Sequence, residues 1–288
     1  MQHVLTLIAR DGLGHALVAR ARDAVAGGKP DVLSPDEAVD IPCPAIIDLT
    51  EILAEILVGH AVDWAILPAA NRRKRLLIAD MDSTIVTSET LDELADHAGV
   101  GAAVAAITRR SMAGEIDFAT ALRERVAMLR GLSVEALDAT WGRTVLMPGA
   151  TELVRTMRAH GAVTALVSGG FTWFTDRVAQ QVGFDRHHAN TLDHDGTTLT
   201  GTVAEPILDR DAKRTTLLAL TAEHGLTPDD ALAVGDGAND LAMIQTAGLG
   251  VAYHAKPITA AAARVRIEYC NLRALLFLQG YHAAEIVA

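Results

Sequence analysis

Leu76-Leu77-Ile78-Ala79-Asp80-Met81-Asp82-Ser83-Thr84 is the segment on which the fold turns. Four apolar residues run straight into an acidic, hydroxyl-bearing turn, the pattern of a strand buried on both faces with polar groups at its carboxyl end. Ligands of open α/β sheets bind at that end. In extended chain, residues two apart face the same side, so Asp80 and Asp82 can address one ligand. Carboxylates held that close repel each other unless a proton or a metal intervenes. An acidic turn or a weak cation loop would carry the same residues, so the segment needs support from elsewhere.

Support comes first from the pattern downstream. AVTALV (162–167), ALAV (231–234) and GLGVA (248–252) are short apolar runs that end in polar or Gly-rich turns. Helical stretches separate them, for instance 171–182 and 215–224. Strand–helix alternation of this kind predicts an α/β fold, a doubly wound Rossmann-like parallel sheet covered on both faces. Residues 88–146 break the alternation with helix after helix and read as a cap inserted after the first strand. Asp117 there can cap a helix whose Phe118, Leu122, Val126 and Leu129 share one face.

Upstream, residues 1–70 read as a small α+β domain. VLTLIA (4–9) is strand-like, and GHALVARARDAVAGG continues as a helix ending on Gly27 and Gly28. A Pro-, Asp- and Ser-rich loop follows, then a helix near 51–59 and the apolar run WAILPA. The basic run Asn71–Arg75 has the composition of a nucleic-acid patch, but in so acidic a chain it reads as a solvated linker. The expected division is therefore 1–70, then 71–288 with its cap at about 88–146.

At 288 residues the chain is long enough for about two domains. Half of it is apolar, and 25 Lys and Arg stand against 36 Asp and Glu for a formal charge of −11. Such a surface repels nucleic acid and anionic membranes, so neither is an expected partner. Cys43 and Cys270 stand alone, outside any CxxC, and no apolar run reaches membrane-spanning length. The start has no signal-peptide pattern, and the expectation is a cytoplasmic protein.

Gly235-Asp236-Gly237-Ala238-Asn239-Asp240, directly after ALAV, is a second acidic turn. Asp80, Asp82, Asp236 and Asp240 would then converge at one edge of the sheet. Each unneutralised pair about 4 Å apart would cost about 4 kcal/mol at an effective dielectric near 20. A hard divalent cation removes that cost, and Mg²⁺ suits a site that keeps waters and a phosphate as further ligands. Ser168-Gly169-Gly170, at the head of helix 171–182, offers a hydroxyl and backbone N–H groups to an anion, although Ser-Gly-Gly is also an ordinary turn. Lys213 alone would be an unremarkable surface lysine. Glu89 and Arg125 alone would be helix-surface charges.

Taken together, DMDST after one strand, SGG after the next, a lysine and then GDGAND resemble the motif series of the haloacid dehalogenase superfamily of phosphatases, over about residues 75–280. Within it the chain looks like the phosphoserine phosphatases, because Glu89 stands nine residues after Asp80 and Asp117-Phe118 through Leu122-Arg123-Glu124-Arg125-Val126 matches their cap helix. The resemblance implies hydrolysis of O-phospho-L-serine through an aspartyl-phosphate. Asp80 would be the nucleophile and Asp82 the acid and base. Mg²⁺ would be held by Asp80, the Asp82 carbonyl and Asp236, with Asp240 in support. It further implies that Ser168, Gly169 and Lys213 bind the phosphoryl group, and that Asn239 orients the substrate or Lys213. Glu89 and Arg125, rather than Arg123, would bind the ammonium and carboxylate of serine. Two alternatives stay open: a phosphatase of the same fold acting on another small phosphomonoester such as homoserine phosphate, or an amino-acid sensor dominated by residues 1–70. There is no P-loop, and neither cysteine has an arginine six residues on; Leu49 and Leu276 stand there.

Overall fold

The structure, a computed structural model, describes residues 3–44, 49–112 and 114–288. The amino-terminal unit is β1 (His3–Ala9), α1 (His15–Ala24), β2 (Asp31–Ser34), β3 (Ala38–Cys43), α2 (Thr50–Leu57) and β4 (Val62–Pro68). Its antiparallel sheet runs β2-β3-β1-β4. Side chains alternate across β1: Leu5 and Leu7 pack toward α1 and α2, while Ile8 joins the core of the larger unit. Both faces of the sheet are thus covered.

The sequence reading treats the stretch after Gly28 as loop, yet β2 and β3 form an antiparallel hairpin there. Its strands carry polar Asp31, Ser34 and Asp40, which break the apolar signature. Asp40 is nonetheless buried, accepting a hydrogen bond from the hydroxyl of Thr6. Helix α1 stops at Ala24 rather than at Gly27, with Ala26 in the left-handed region (φ +48°). Gly27 answers a different need: a Cβ there would collide with the side chain of Ile41.

The larger unit holds a six-stranded parallel sheet of order β12-β11-β10-β5-β6-β7. Its strands are β5 (Leu76–Ala79), β6 (Val163–Phe171), β7 (Arg186–Asn190), β10 (Ala231–Gly235), β11 (Leu249–Tyr253) and β12 (Val265–Ile267). Leu76, Ile78, Ala231 and Ala233 face α9 (Arg210–Glu223) and α10 (Leu241–Thr246). Leu77, Ala79, Leu232 and Val234 face α7 (Ala150–Ala159), α8 (Thr172–Val182) and α12 (Ala274–Leu278). The short α11 (Pro257–Ala262) follows β11. The chain winds from β5 outward through β6 and β7, then returns to β10 on the other side of β5. That reversal is the crevice where open α/β sheets bind ligands.

Four helices fill the insertion after β5: α3 (Thr90–His97), α4 (Gly101–Met112), α5 (Phe118–Ala127) and α6 (Glu135–Trp141). Its entry and exit pair as an antiparallel bridge between Val86 and Leu146. The Asp117 carboxylate caps α5, accepting the Thr120 N–H (2.8 Å), and Leu122, Val126 and Leu129 are buried. A hairpin that the sequence reading did not foresee, β8 (Leu192–His194) and β9 (Leu199–Val203), packs against α5.

The basic run is solvated only in part: Asn71, Arg73 and Arg75 are exposed, whereas Arg72 and Lys74 are turned inward. The Arg72 guanidinium donates to Asp40, to the Thr6 hydroxyl and to the carbonyls of Phe277 and Leu278. Lys74 donates its ammonium to the carbonyls of Asn71 and Asp229. Arg72 thereby joins the two units, and Lys74 ties the start of the larger unit to the turn before β10. Among the described residues, no helix is long and apolar enough to cross a membrane.

Candidate active site

Asp80 directly follows β5, and its N–H donates to the Val234 carbonyl of β10 (3.0 Å), so the sheet ladder fixes the residue that enters the crevice. Lys213 arrives from the opposite layer. Helix α9 starts at Arg210 rather than at 215, capped by the Asp209 carboxylate, which accepts the N–H groups of Asp211 and Ala212. That earlier start places Lys213 in the first turn, over the crevice. Its ammonium lies 2.6 Å from Asp80 Oδ1 and 2.5 Å from Asp240 Oδ1, with all three side chains buried.

The other oxygen of Asp240 accepts the Gly237 N–H (2.9 Å). Asp240 therefore orients Lys213 and braces its own turn. The Lys213 ammonium is held by Asp80 and Asp240, while Asn239 stands half-buried beside Gly237. Burial would lower the Lys213 ammonium, but the charges of Asp240 and Asp80 outweigh it and hold its pKa above the usual lysine range. Burial, with Asp240 adding, pushes Asp80 well above the ordinary carboxylate range against the pull of Lys213. Asp236 is raised by burial too, with Lys256 pulling the other way.

One carboxylate oxygen from each of Asp80, Asp236 and Asp240 falls within a 4.8 Å cluster. Three buried hard oxygen donors, two of them raised chiefly by burial, fit a divalent cation of the Mg²⁺ type. The Asp82 carboxylate lies outside this cluster. Its Oδ1 accepts the Thr90 N–H (2.9 Å) and its Oδ2 accepts the Ser168 hydroxyl (3.2 Å). Burial, with the Glu89 charge adding, pushes Asp82 up to about 6 although Thr90 and Ser168 stabilise its anion.

Ser168-Gly169-Gly170 does not form the head of a helix. It continues β6, with a break in register against β7 between Val167 and Phe171, and α8 begins at Thr172. The Gly170 N–H donates to Ser168 Oγ (2.8 Å), and the Gly169 carbonyl accepts from Asn190 Nδ2 (3.0 Å). A Cβ on Gly170 would stand 3.0 Å from Asp82 Oδ2, so glycine permits the close approach. Buried Asn190 also accepts the Leu208 N–H, tying the β6 end to the approach to α9.

Glu89 enters from the first residue before α3, its Oε1 accepting the Ser83 hydroxyl (2.9 Å); Ser83 itself is left-handed (φ +56°). Arg125 donates Nε–H to the Ala121 carbonyl and, among the described residues, has no carboxylate within ion-pair distance. Burial lowers its pKa, with the Asp92 and Glu89 charges opposing. Arg123, by contrast, is exposed and paired with Glu205. Sequence reading missed Asn190 and also Lys256, whose ammonium lies 3.2 Å from Asp236 Oδ2 and 3.7 Å from Glu89 Oε1.

The family model for haloacid dehalogenase-like hydrolases matches residues 77–245. The phosphoserine phosphatase of Streptomyces coelicolor is 37% identical over 291 residues, covering 96% of this chain and 71% of its own length. That of Archaeoglobus fulgidus is 46% identical over 188 residues, 65% of this chain, and the chain spans only 55% of that relative. The unliganded crystal structure of a probable phosphoserine phosphatase from Vibrio cholerae superposes with a TM-score of 0.82 at 32% identity, covering 99% of this chain and 88% of the other. With its crevice, acidic cluster and cap as described, the chain belongs to the haloacid dehalogenase-like hydrolase family.

Proposed function

We propose that the chain hydrolyses O-phospho-L-serine to serine and phosphate through an aspartyl-phosphate on Asp80. The observation that carries the reading is Arg125: a part-buried guanidinium on the cap, with no carboxylate within ion-pair distance among the described residues, and within electrostatic reach of Asp92 and Glu89. A ligand bearing both a carboxylate and an ammonium satisfies the two at once, since Arg grips a carboxylate through paired donors. The names of the relatives support the same substrate.

In this reading Asp80 Oδ attacks phosphorus as the P–O bond to serine breaks. Asp82, whose raised pKa of about 6 suits it to exchange a proton near neutral pH, gives a proton to the departing serine oxygen. Asp82 then takes a proton from the water that attacks the aspartyl-phosphate, and phosphate leaves. Lys213, Ser168 and the Gly169 N–H stabilise the phosphoryl oxygens. For this the Ser168 hydroxyl turns from Asp82 to the substrate. Asp80, the Asp82 carbonyl and Asp236 would hold Mg²⁺, which would supply positive charge to offset repulsion between an anionic nucleophile and an anionic ester. Asn239 orients the substrate.

The division into 1–70, a core of 71–288 and a cap near 88–146 belongs to the same proposal, supported by the separate sheets and the Val86–Leu146 bridge. Phosphate release from O-phospho-L-serine, with and without Mg²⁺, is the direct test. Turnover of homoserine phosphate but not of phosphoserine would overturn the substrate.

A further inference from the structure

We propose that Lys256 is a positioning residue that occupies the unloaded site, its ammonium holding Asp236 and Glu89 together until the divalent cation claims the first and the substrate ammonium the second. The proposal rests on the functional reading above, in which Asp236 is a metal ligand and Glu89 receives the amine.

The placement is specific. Lys256 lies in the turn after β11, and its N–H donates to the main-chain carbonyl of Asp236 (3.0 Å) while its ammonium reaches the carboxylate of the same residue. The turn is pinned on both sides. His254, left-handed at φ +41°, shares a hydrogen bond with the Cys270 carbonyl (2.9 Å), and Pro257 opens α11. The backbone is thereby fixed, whereas the side chain is half exposed and free to swing into water.

Charge balance gives the ammonium its task. Lys213 is already shared between Asp80 and Asp240, so among the described residues Lys256 is the cation within ion-pair distance of Asp236. Its second contact, Glu89, belongs to the cap, so one ammonium bridges core and cap. A substrate ammonium and Lys256 are chemically alike. They compete for the single negative charge of Glu89, and a divalent cation competes in the same way with Lys256 for Asp236.

Titration calorimetry of Mg²⁺ into the full chain without substrate tests this. Lys256→Met is expected to bind Mg²⁺ about two- to fivefold more tightly than wild type, the scale of one half-exposed ion pair that need not be broken. Lys256→Arg should stay near wild type. At saturating Mg²⁺, Lys256→Met should also lower KM for phosphoserine while leaving KM for p-nitrophenyl phosphate, which has no ammonium, nearly unchanged. Unchanged or weaker Mg²⁺ binding at a native melting temperature overturns the proposal. Should Lys256→Met misfold, Lys256→Gln is read by the same criteria. A wild-type chain that binds no Mg²⁺ at all would overturn the metal reading itself, which separates the two failures.

Discussion

The ammonium of Lys213 stands 2.6 Å from Oδ1 of Asp80, with both side chains almost sealed from water. A nucleophilic carboxylate so placed is oriented but also restrained, because its negative charge is already engaged. Asp240 shares the same ammonium, and the three form one buried unit of net negative charge. Breaking a buried pair by removing one partner costs about 3–5 kcal/mol, as the charge left behind is uncompensated. Lys213→Met should therefore depress the unfolding midpoint strongly in chelator and much less in saturating Mg²⁺, where the cation takes over part of the neutralisation. Denaturant titrations under both conditions check this, and equal losses would show that no cation shares the cluster.

The chemistry has a sharper test. Asp80→Asn keeps shape but not nucleophilicity, so turnover should vanish while the circular dichroism spectrum and melting temperature stay near native. Asp82→Asn should lose about 10²–10⁴-fold in kcat, the range for general acid–base catalysis, with KM little changed. A loss confined to KM would contradict the assignment of Asp82.

The acidic cluster also fixes a sign for pH. Asp82 is raised from 3.8 to about 6, and Asp80 and Asp236 are raised in the same direction by burial. Between the unfolded value near 4 and the folded value near 6, the folded chain binds more protons than the unfolded one. The contribution of Asp82 to the stability of the metal-free protein is then fullest below about 4 and is lost as pH rises through 6, and Asp80 and Asp236 act in the same direction. Divalent cations bind deprotonated carboxylates, and Asp80 and Asp236 are raised above the ordinary range, so the stabilising effect of a cation should grow as pH rises. Melting curves with EDTA and with Mg²⁺ at pH 5 and 7.5 should show a clearly larger Mg²⁺ shift at the higher pH; equal shifts would refute the cluster as a cation site.

Joining of the two units can be probed far from the chemistry. The buried carboxylate of Asp63 in β4 accepts the N–H groups of Glu268, Tyr269 and Cys270. Asp63→Ala leaves those donors without an acceptor and should cost about 2–4 kcal/mol. Urea unfolding would measure the loss.

What could be read from sequence follows the range of the interactions. DMDST and GDGAND were legible because a buried strand and its polar turn are adjacent in the chain. The β7 strand Arg186–Asn190 was not, since an edge strand reading RHHAN carries no apolar run. Arg72 was misread for a different reason: its partner Asp40 lies 32 residues away, and a local reading sees only the charge. Lys256 was within reach. Parallel strands deliver their carboxyl ends to one edge, so the turn after GLGVA had to face the same crevice as Asp80 and Asp236. Glu89 and Arg125 had no such local signal and came from the resemblance alone.

Those two residues carry the substrate assignment, and they can be tested apart from the catalytic groups. Among the described residues Arg125 has no carboxylate within ion-pair distance, and Glu89 meets the Ser83 hydroxyl and the half-exposed ammonium of Lys256. If the cap desolvates both on the bound amino acid, truncating either leaves one substrate charge unpaired, at about 2–5 kcal/mol. At 1.4 kcal/mol per factor of ten this is roughly 30- to 4,000-fold in kcat/KM for phosphoserine. The same Glu89→Ala and Arg125→Ala variants should hydrolyse p-nitrophenyl phosphate at close to the wild-type rate, because that ester carries neither an ammonium nor a carboxylate. Arg123→Ala, which removes only an exposed pair with Glu205, should leave both substrates untouched. Parallel losses on the two substrates would assign Glu89 and Arg125 to folding or to the chemical step, and the preference for an amino-acid ester would have to be sought elsewhere in the cap.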